Sequence, residues 1–317
     1  MGNIVNVNNI KIWYEEFGEK TNEPILLIMG ANANCMQWDR EFIDSLVSNN
    51  FHVIRFDNRD VGKSTWIGKE PFYNKFLKFL PSSLLKLIVN SIFGLAVDID
   101  GKFKFSESSK VKYDLSDMAK DAISLMDILK IEKAHIIGAS MGGMITQLIA
   151  LDFPERVLSI TPIMTSPGIQ NESLSGPSEE LLYAMKKSFV FNLKGKIEDG
   201  VVEIYRQLTG SRFPFNEQNF REKLKPVIAH GNNPFSLHGA AVGASPDRTS
   251  RLHEIKVPTL VIHGTEDAIL PLDHGISVAD GIADSKRMIM EGVGHEIPEE
   301  LLPAIVSEIV ENIKRAT

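Results

Sequence analysis

Six short apolar runs, each followed by Gly, Asp or Asn and then by a segment of helical spacing, limit most strongly what this chain can fold into. They are PILLIMG (24–30), FHVIRFD (51–57), KAHIIGA (133–139), VLSITPIM (157–164), VPTLVIHG (257–264) and KRMIMEG (286–292). Strands buried on both faces read as continuous apolar stretches of this kind. Between them, LSDMAKDAISLMDILK (115–130) and MGGMITQLIALDF (141–153) repeat apolar residues every three or four positions, the spacing of one helix face. Strand–helix alternation predicts an α/β fold, a mostly parallel central sheet flanked by helices on both faces. Ahead of it, NIVNV and IKIWYEEFG flank Asn8-Asn9 and predict an antiparallel hairpin.

The alternation breaks twice, over 66–107 and over 166–250. A chain of 317 residues accommodates one large core carrying insertions. The expected organisation is therefore a first core part at 1–165 with a lid-like insertion at 66–107, a mainly helical cap at 166–250, and a second core part at 251–317. A net charge of −7 argues against nucleic acid as a partner. Cys35 is the one cysteine, so no intrachain disulfide forms, as suits a reducing compartment. The opening residues lack the charged and apolar regions of a signal peptide, and no apolar stretch is long enough to span a bilayer. A cytoplasmic location is the expectation.

HIIGASMGG (135–143) sets Ser140 between a strand-like run and a helix-like one, with Gly138 and Gly142 beside it. Such a turn is either plain architecture or a nucleophile elbow, G-x-S-x-G, in which a strained backbone exposes the serine at the carboxyl edge of the sheet. A serine hydroxyl needs a base. His52 and His135 lie in strand-like runs, and His230, His238, His253 and His274 lack a pattern of glycines leading into them. His295, in EGVGHEIP, follows a short strand and two glycines and is the candidate base. The base needs a carboxylate to fix its tautomer, and Glu266 and Asp267 both stand just past a strand end. For the oxyanion, the backbone N–H of Met141 and that of Ala31, after Gly30 in MGANANCMQW, are the candidate donors. Asn32, Trp38 and His263 are candidates for the pocket lining, and Cys35 reads as a packed small residue. No cluster has metal-ligand spacing, and neither G-x-G-x-x-G after the first strand nor a P-loop occurs. No metal or cofactor is expected.

MGANANCMQW, HVIRFDNRDVGKST, HIIGASMGGMITQLIALDFPERV, VPTLVIHGTEDAILP and GVGHEIP together resemble the α/β-hydrolase superfamily over nearly the whole chain. Within it, the chain resembles the aclacinomycin methylesterase-like branch of carboxylic-ester hydrolases. The resemblance implies Ser140 as nucleophile, His295 as base and Ala31 and Met141 as oxyanion donors. It selects Asp267 as the acid, through the pattern of Gly264, two residues, Asp267, three residues, Pro271. Asp57, Arg59 and Gly62 match an architectural turn. Met29 stands where many relatives have histidine before the glycine, and the 66–107 insertion is longer than the branch leads one to expect.

The expected activity is hydrolysis of a small, apolar carboxylic ester. A proline-iminopeptidase-like aminopeptidase, a carbon–carbon bond hydrolase and a cofactor-free perhydrolase share the same apparatus. A small-molecule receptor on the scaffold is the reading without catalysis. A peptidase would need acids for the free amine, for which Glu179, Glu180, Glu198 and Asp199 are available. FYNKFLKFLPSSLLKLIVNSIFGLAV (72–97) reads first as an amphipathic lid over the pocket, with a helix lying on a membrane surface and plain core packing as the alternatives.

Overall fold

The computed structural model describes residues 2–72, 74–96 and 111–316. Eight strands form one sheet in the order β1-β2-β4-β3-β5-β6-β7-β8. They are β1 (Asn3–Val7), β2 (Ile10–Phe17), β3 (Glu23–Ile28), β4 (Phe51–Phe56), β5 (Ala134–Ala139), β6 (Val157–Ile163), β7 (Thr259–Gly264) and β8 (Ser285–Met290). Only the β1–β2 and β2–β4 pairings are antiparallel. Asn8 and Asn9 close the first hairpin with φ of 45° and 65°, the left-handed pair that a two-residue type I′ turn requires and that asparagine tolerates. All six expected apolar runs are strands.

Helices α1 (Arg40–Ser48), α2 (Asn74–Leu77), α3 (Ser82–Ala96), α4 (Leu115–Leu129), α5 (Met141–Asp152), α6 (Glu179–Leu193), α7 (Ile197–Leu208), α8 (Glu217–His230), α9 (His238–Ala244), α10 (Leu272–Gly281) and α11 (Leu302–Lys314) follow in chain order. α4, α5 and α10 cover one face of the sheet, and α1 and α11 the other. The period of two sends successive strand residues to opposite faces. Leu26 and Ile28 thus join the core under α4 and α5, while Ile25 and Leu27 join the core under α1 and α11. Asp114 opens α4 with a capping box, its side chain accepting from the Asp117 amide at 3.0 Å while Asp117 accepts from the Asp114 amide.

α6 to α9 lie between β6 and β7, and residues 165–258 contribute no strand to the sheet. The earlier insertion contributes α2 and α3; its residues 73 and 97–107 lie outside the described residues. Among the described residues no helix is long and apolar enough to cross a membrane.

Candidate active site

β5 ends at Ala139, and α5 begins at Met141. Ser140 makes the whole turn between them, with φ 56° and ψ −120°. A non-glycine residue held at positive φ costs about 1–3 kcal/mol and persists only where its surroundings over-determine it. Here they do. The Ser140 amide donates to Ile163 O at 2.8 Å, and its carbonyl accepts from Gly143 N, Met144 N and Thr165 Oγ1. The glycines permit the crossing of helix and strand. A Cβ at Gly138 would lie 2.2 Å from Gly142 O, and one at Gly142 would lie 2.1 Å from Ile28 O. Both are far inside contact distance, so any side chain there would force strand and helix apart.

Two strands along the sheet, β7 delivers Asp267, and β8 delivers His295. His295 Nδ1 lies 2.6 Å from Asp267 Oδ2. The other carboxylate oxygen, Oδ1, accepts from the Ile269 and Leu270 amides at 3.0 and 2.8 Å. Burial alone would raise this carboxyl's pKa. The His295 and His263 imidazoles and the Leu270 amide outweigh it and hold the group below the ordinary aspartate range. The neighbouring Glu266 points outward, bonded to the Ser211 amide and hydroxyl at 2.7 Å each. The two acids that the residues alone left open are thus separated by direction. The His295 amide donates to Leu208 O at 2.7 Å, tying its loop to the end of α7. Ser140 Oγ and His295 Nε2 form no hydrogen bond with each other among the described residues. In unliganded sites such contacts are often long and tighten when substrate binds.

The loop after β3 meets the same edge. A Cβ at Gly30 would sit 3.0 Å from Ser140 Cβ and 3.6 Å from its Oγ, so this backbone passes directly over the hydroxyl. The amides of Ala31 and Met141 donate to no acceptor among the described residues. Two unengaged N–H groups beside a hydroxyl, one of them at a helix N-terminus, are suited to an oxyanion.

His238, which carried no sequence signal, is built into this loop. Its ring is buried at the start of α9, accepts from the Asn32 amide at Nδ1 (2.9 Å) and donates from Nε2 to Arg59 O (2.6 Å). Asn32 is left-handed, at φ 60°, so the bond fixes the peptide that follows Ala31. Asp60 completes the brace. Its buried carboxylate accepts from Tyr113 Oη at 2.6 Å, Gly68 N at 2.6 Å and Leu237 N at 3.2 Å, and also from Ile67 N. Burial pushes the His238 imidazole down to about 4, outweighing the Arg59 carbonyl and the Asp60 carboxylate, which favour its charged form. The unfolded histidine binds a proton below its ordinary pKa near 6.5, while the folded one stays neutral. Stability that is complete above that value is therefore lost as the pH falls through the window down to about 4. Thermal melts over this window should show the wild type losing about 3 kcal/mol relative to His238→Asn, which keeps an acceptor but does not titrate. Parallel pH profiles would show that the Asn32 bond is not made by a neutral imidazole.

Of the expected pocket-lining residues, Asn32 is exposed. The other two face inward. Trp38 is 1% exposed and stacks on Phe42 at 5.4 Å, because the 3₁₀ turn before it folds the indole under α1. His263 is fully buried behind Asp267, its Nε2 2.7 Å from Leu270 O. Cys35 is buried, and burial raises its thiol pKa well above the ordinary value. Cys35, Asp57 and His230 do converge, with ligand-type atoms within 4.8 Å of one another. Asp57 is already engaged there by the Cys35 and Lys63 amides and by His230 Nε2 at 2.7 Å, a hydrogen-bonded knot beneath the loop.

The α/β-hydrolase fold model matches residues 23–300. Rhodomycin D methylesterase from Streptomyces sp. (strain C5) is 25% identical over 99% of this chain and 98% of its own length. A 2-hydroxy-6-oxononadienedioate/2-hydroxy-6-oxononatrienedioate hydrolase from Escherichia coli O139:H28 is 32% identical over 90% of this chain and 85% of its own. Among solved structures, a bromoperoxidase from Bacillus anthracis superposes with a TM-score of 0.72 at 17% identity, over 99% of this chain and 100% of that one. With the sheet order, the turn at Ser140 and a family match over most of its length, the chain belongs to the α/β-hydrolase fold family.

Proposed function

We propose that this protein is a carboxylic-ester hydrolase working through an acyl-enzyme on Ser140. The observation that carries the reading is the Asp267–His295 pair at 2.6 Å, on the sheet edge where Ser140 is held in a strained turn. Ser140 Oγ attacks the ester carbonyl while His295 Nε2 takes its proton, and Asp267 holds the imidazole in the matching tautomer. The Ala31 and Met141 amides stabilise the resulting oxyanion, each worth about 2.7–4 kcal/mol in the transition state. Collapse expels the alcohol, which receives the proton from His295. Water then attacks the acyl group, His295 takes its proton and returns it to Ser140, and the acid leaves. No cofactor takes part. The helices between β6 and β7, at 166–250, are the cap of this reading, over the two core parts.

The methylesterase relative, similar over almost all of both chains, supports ester cleavage. The Escherichia coli relative supports a second reading, hydrolysis of a carbon–carbon bond in a conjugated oxo acid. The aminopeptidase reading loses ground because its candidate acids are engaged or outward. Glu198 and Asp199 pair with Arg221 at 2.7 and 3.0 Å, and Glu179 and Glu180 are exposed at the start of α6. A fluorophosphonate probe should label the wild type at Ser140, identified by peptide mass spectrometry. Absence of labelling at any probe concentration would remove the catalytic reading and leave the receptor. Turnover of short esters, without turnover of conjugated oxo acids, then separates the two hydrolases.

A further inference from the structure

The described part of the insertion, residues 66–72 and 74–96, carries large apolar side chains on its surface. Phe72, Phe76 and Phe79 fall at i, i+4 and i+7, a spacing that in a helical segment marks the buried face. Yet they are 72, 63 and 88% exposed. Phe72 and Phe76 pack on each other, with ring centroids 5.5 Å apart. On α3, Leu85 and Val89 are buried, while Leu84 and Leu87 point outward. The segment is pinned from beneath: α3 packs on α6, and Lys194, just past α6, donates to Lys78 O and Leu80 O at 3.0 and 2.6 Å. The phenylalanines therefore form a presented surface. Large apolar side chains exposed together on one segment mark an interaction site.

Charge indicates the partner. The chain carries −7 overall, but residues 69–96 hold four lysines and one glutamate. Glu70 is taken by Lys78 at 2.7 Å, while Lys69 and Lys86 are exposed and form no ion pair among the described residues. A second copy is a poor fit, because a twofold contact would set these lysines against their own equivalents. An anionic bilayer offers apolar chains for the rings and phosphates for the lysines.

We propose that Phe72, Phe76, Phe79, Leu84 and Leu87, flanked by Lys69 and Lys86, dock this enzyme on an anionic lipid surface. Taken with the ester-hydrolase reading, on which this clause rests, docking lets the enzyme draw an apolar ester from the bilayer. The test is sedimentation of the full chain with vesicles of phosphatidylcholine, alone or mixed with phosphatidylglycerol. The mixed vesicles should bind about tenfold more tightly, an advantage that high salt removes. Joint Phe72→Ser, Phe76→Ser and Phe79→Ser replacement should weaken binding by at least about thirtyfold. Lys69→Glu with Lys86→Glu should abolish the preference for phosphatidylglycerol. Melting curves check that each variant is folded. Equal sedimentation of wild type and both variants, or none with either vesicle, overturns the proposal. So does light scattering that finds a dimer lost on the serine replacements. Binding is read without turnover, so vesicle binding by an enzyme inert to esters would fail the ester reading alone.

Discussion

Ser140→Ala should lower kcat for a short p-nitrophenyl ester by about 10⁶-fold with KM little changed, leaving the residual rate that oxyanion donors and binding alone provide. The hydroxyl has no hydrogen-bond partner among the described residues, so its removal strands no buried group, and Tm should stay within about 2 °C. Ser140→Gly makes the complementary measurement. Glycine adopts the φ of 56° without a Cβ penalty. It recovers about 1–3 kcal/mol of strain against roughly 0.5–1 kcal/mol of added chain entropy. The expected outcome is an equally inactive protein that melts about 2 °C higher. Activity kept by the alanine variant would exclude Ser140 as nucleophile, and a lower Tm for the glycine variant would mean the turn is not strained.

The core was legible because its central strands, β3 to β7, are buried on both faces, so their apolar runs needed no partner to be read. β5 is buried along all but its last residue. Ser140 and its glycines were legible for a similar reason: backbone crossing is a local demand, met by residues within a few positions. The acid was less so. Asp267 and Glu266 differ only in which side of a turn they leave, and that is set by contacts with His295 and Ser211. His238 was invisible because its bond to Asn32 spans 206 residues. The direction of the insertion was equally hidden. Amphipathic spacing announces a face, but Leu85 turns inward and Leu84 outward only because α6 lies on one side.

Asp267→Asn should cost about 10⁴-fold in kcat, for a reason visible in the carboxylate's partners. Oδ1 accepts from two amides, those of Ile269 and Leu270. An asparagine must offer them its carbonyl oxygen, since an NH₂ there would face two donors and lose both bonds. Its NH₂ then faces His295 Nδ1, now 2.6 Å from Oδ2, and donates to it. The imidazole is forced to carry its proton on Nε2, the atom that receives the proton of Ser140 in the proposed mechanism, so that base would be disabled while the fold keeps its hydrogen bonds. His263 provides the comparison. Its Nε2 is 3.4 Å from Asp267 Oδ2 but 2.7 Å from Leu270 O, so its proton goes to the carbonyl, and the contact with the acid is secondary. His263→Gln retains an amide donor for Leu270 O and should cost less than tenfold in kcat. Steady-state kinetics on the two variants separates the histidines: a larger loss in His263→Gln than in Asp267→Asn would make His263, not His295, the partner that Asp267 serves.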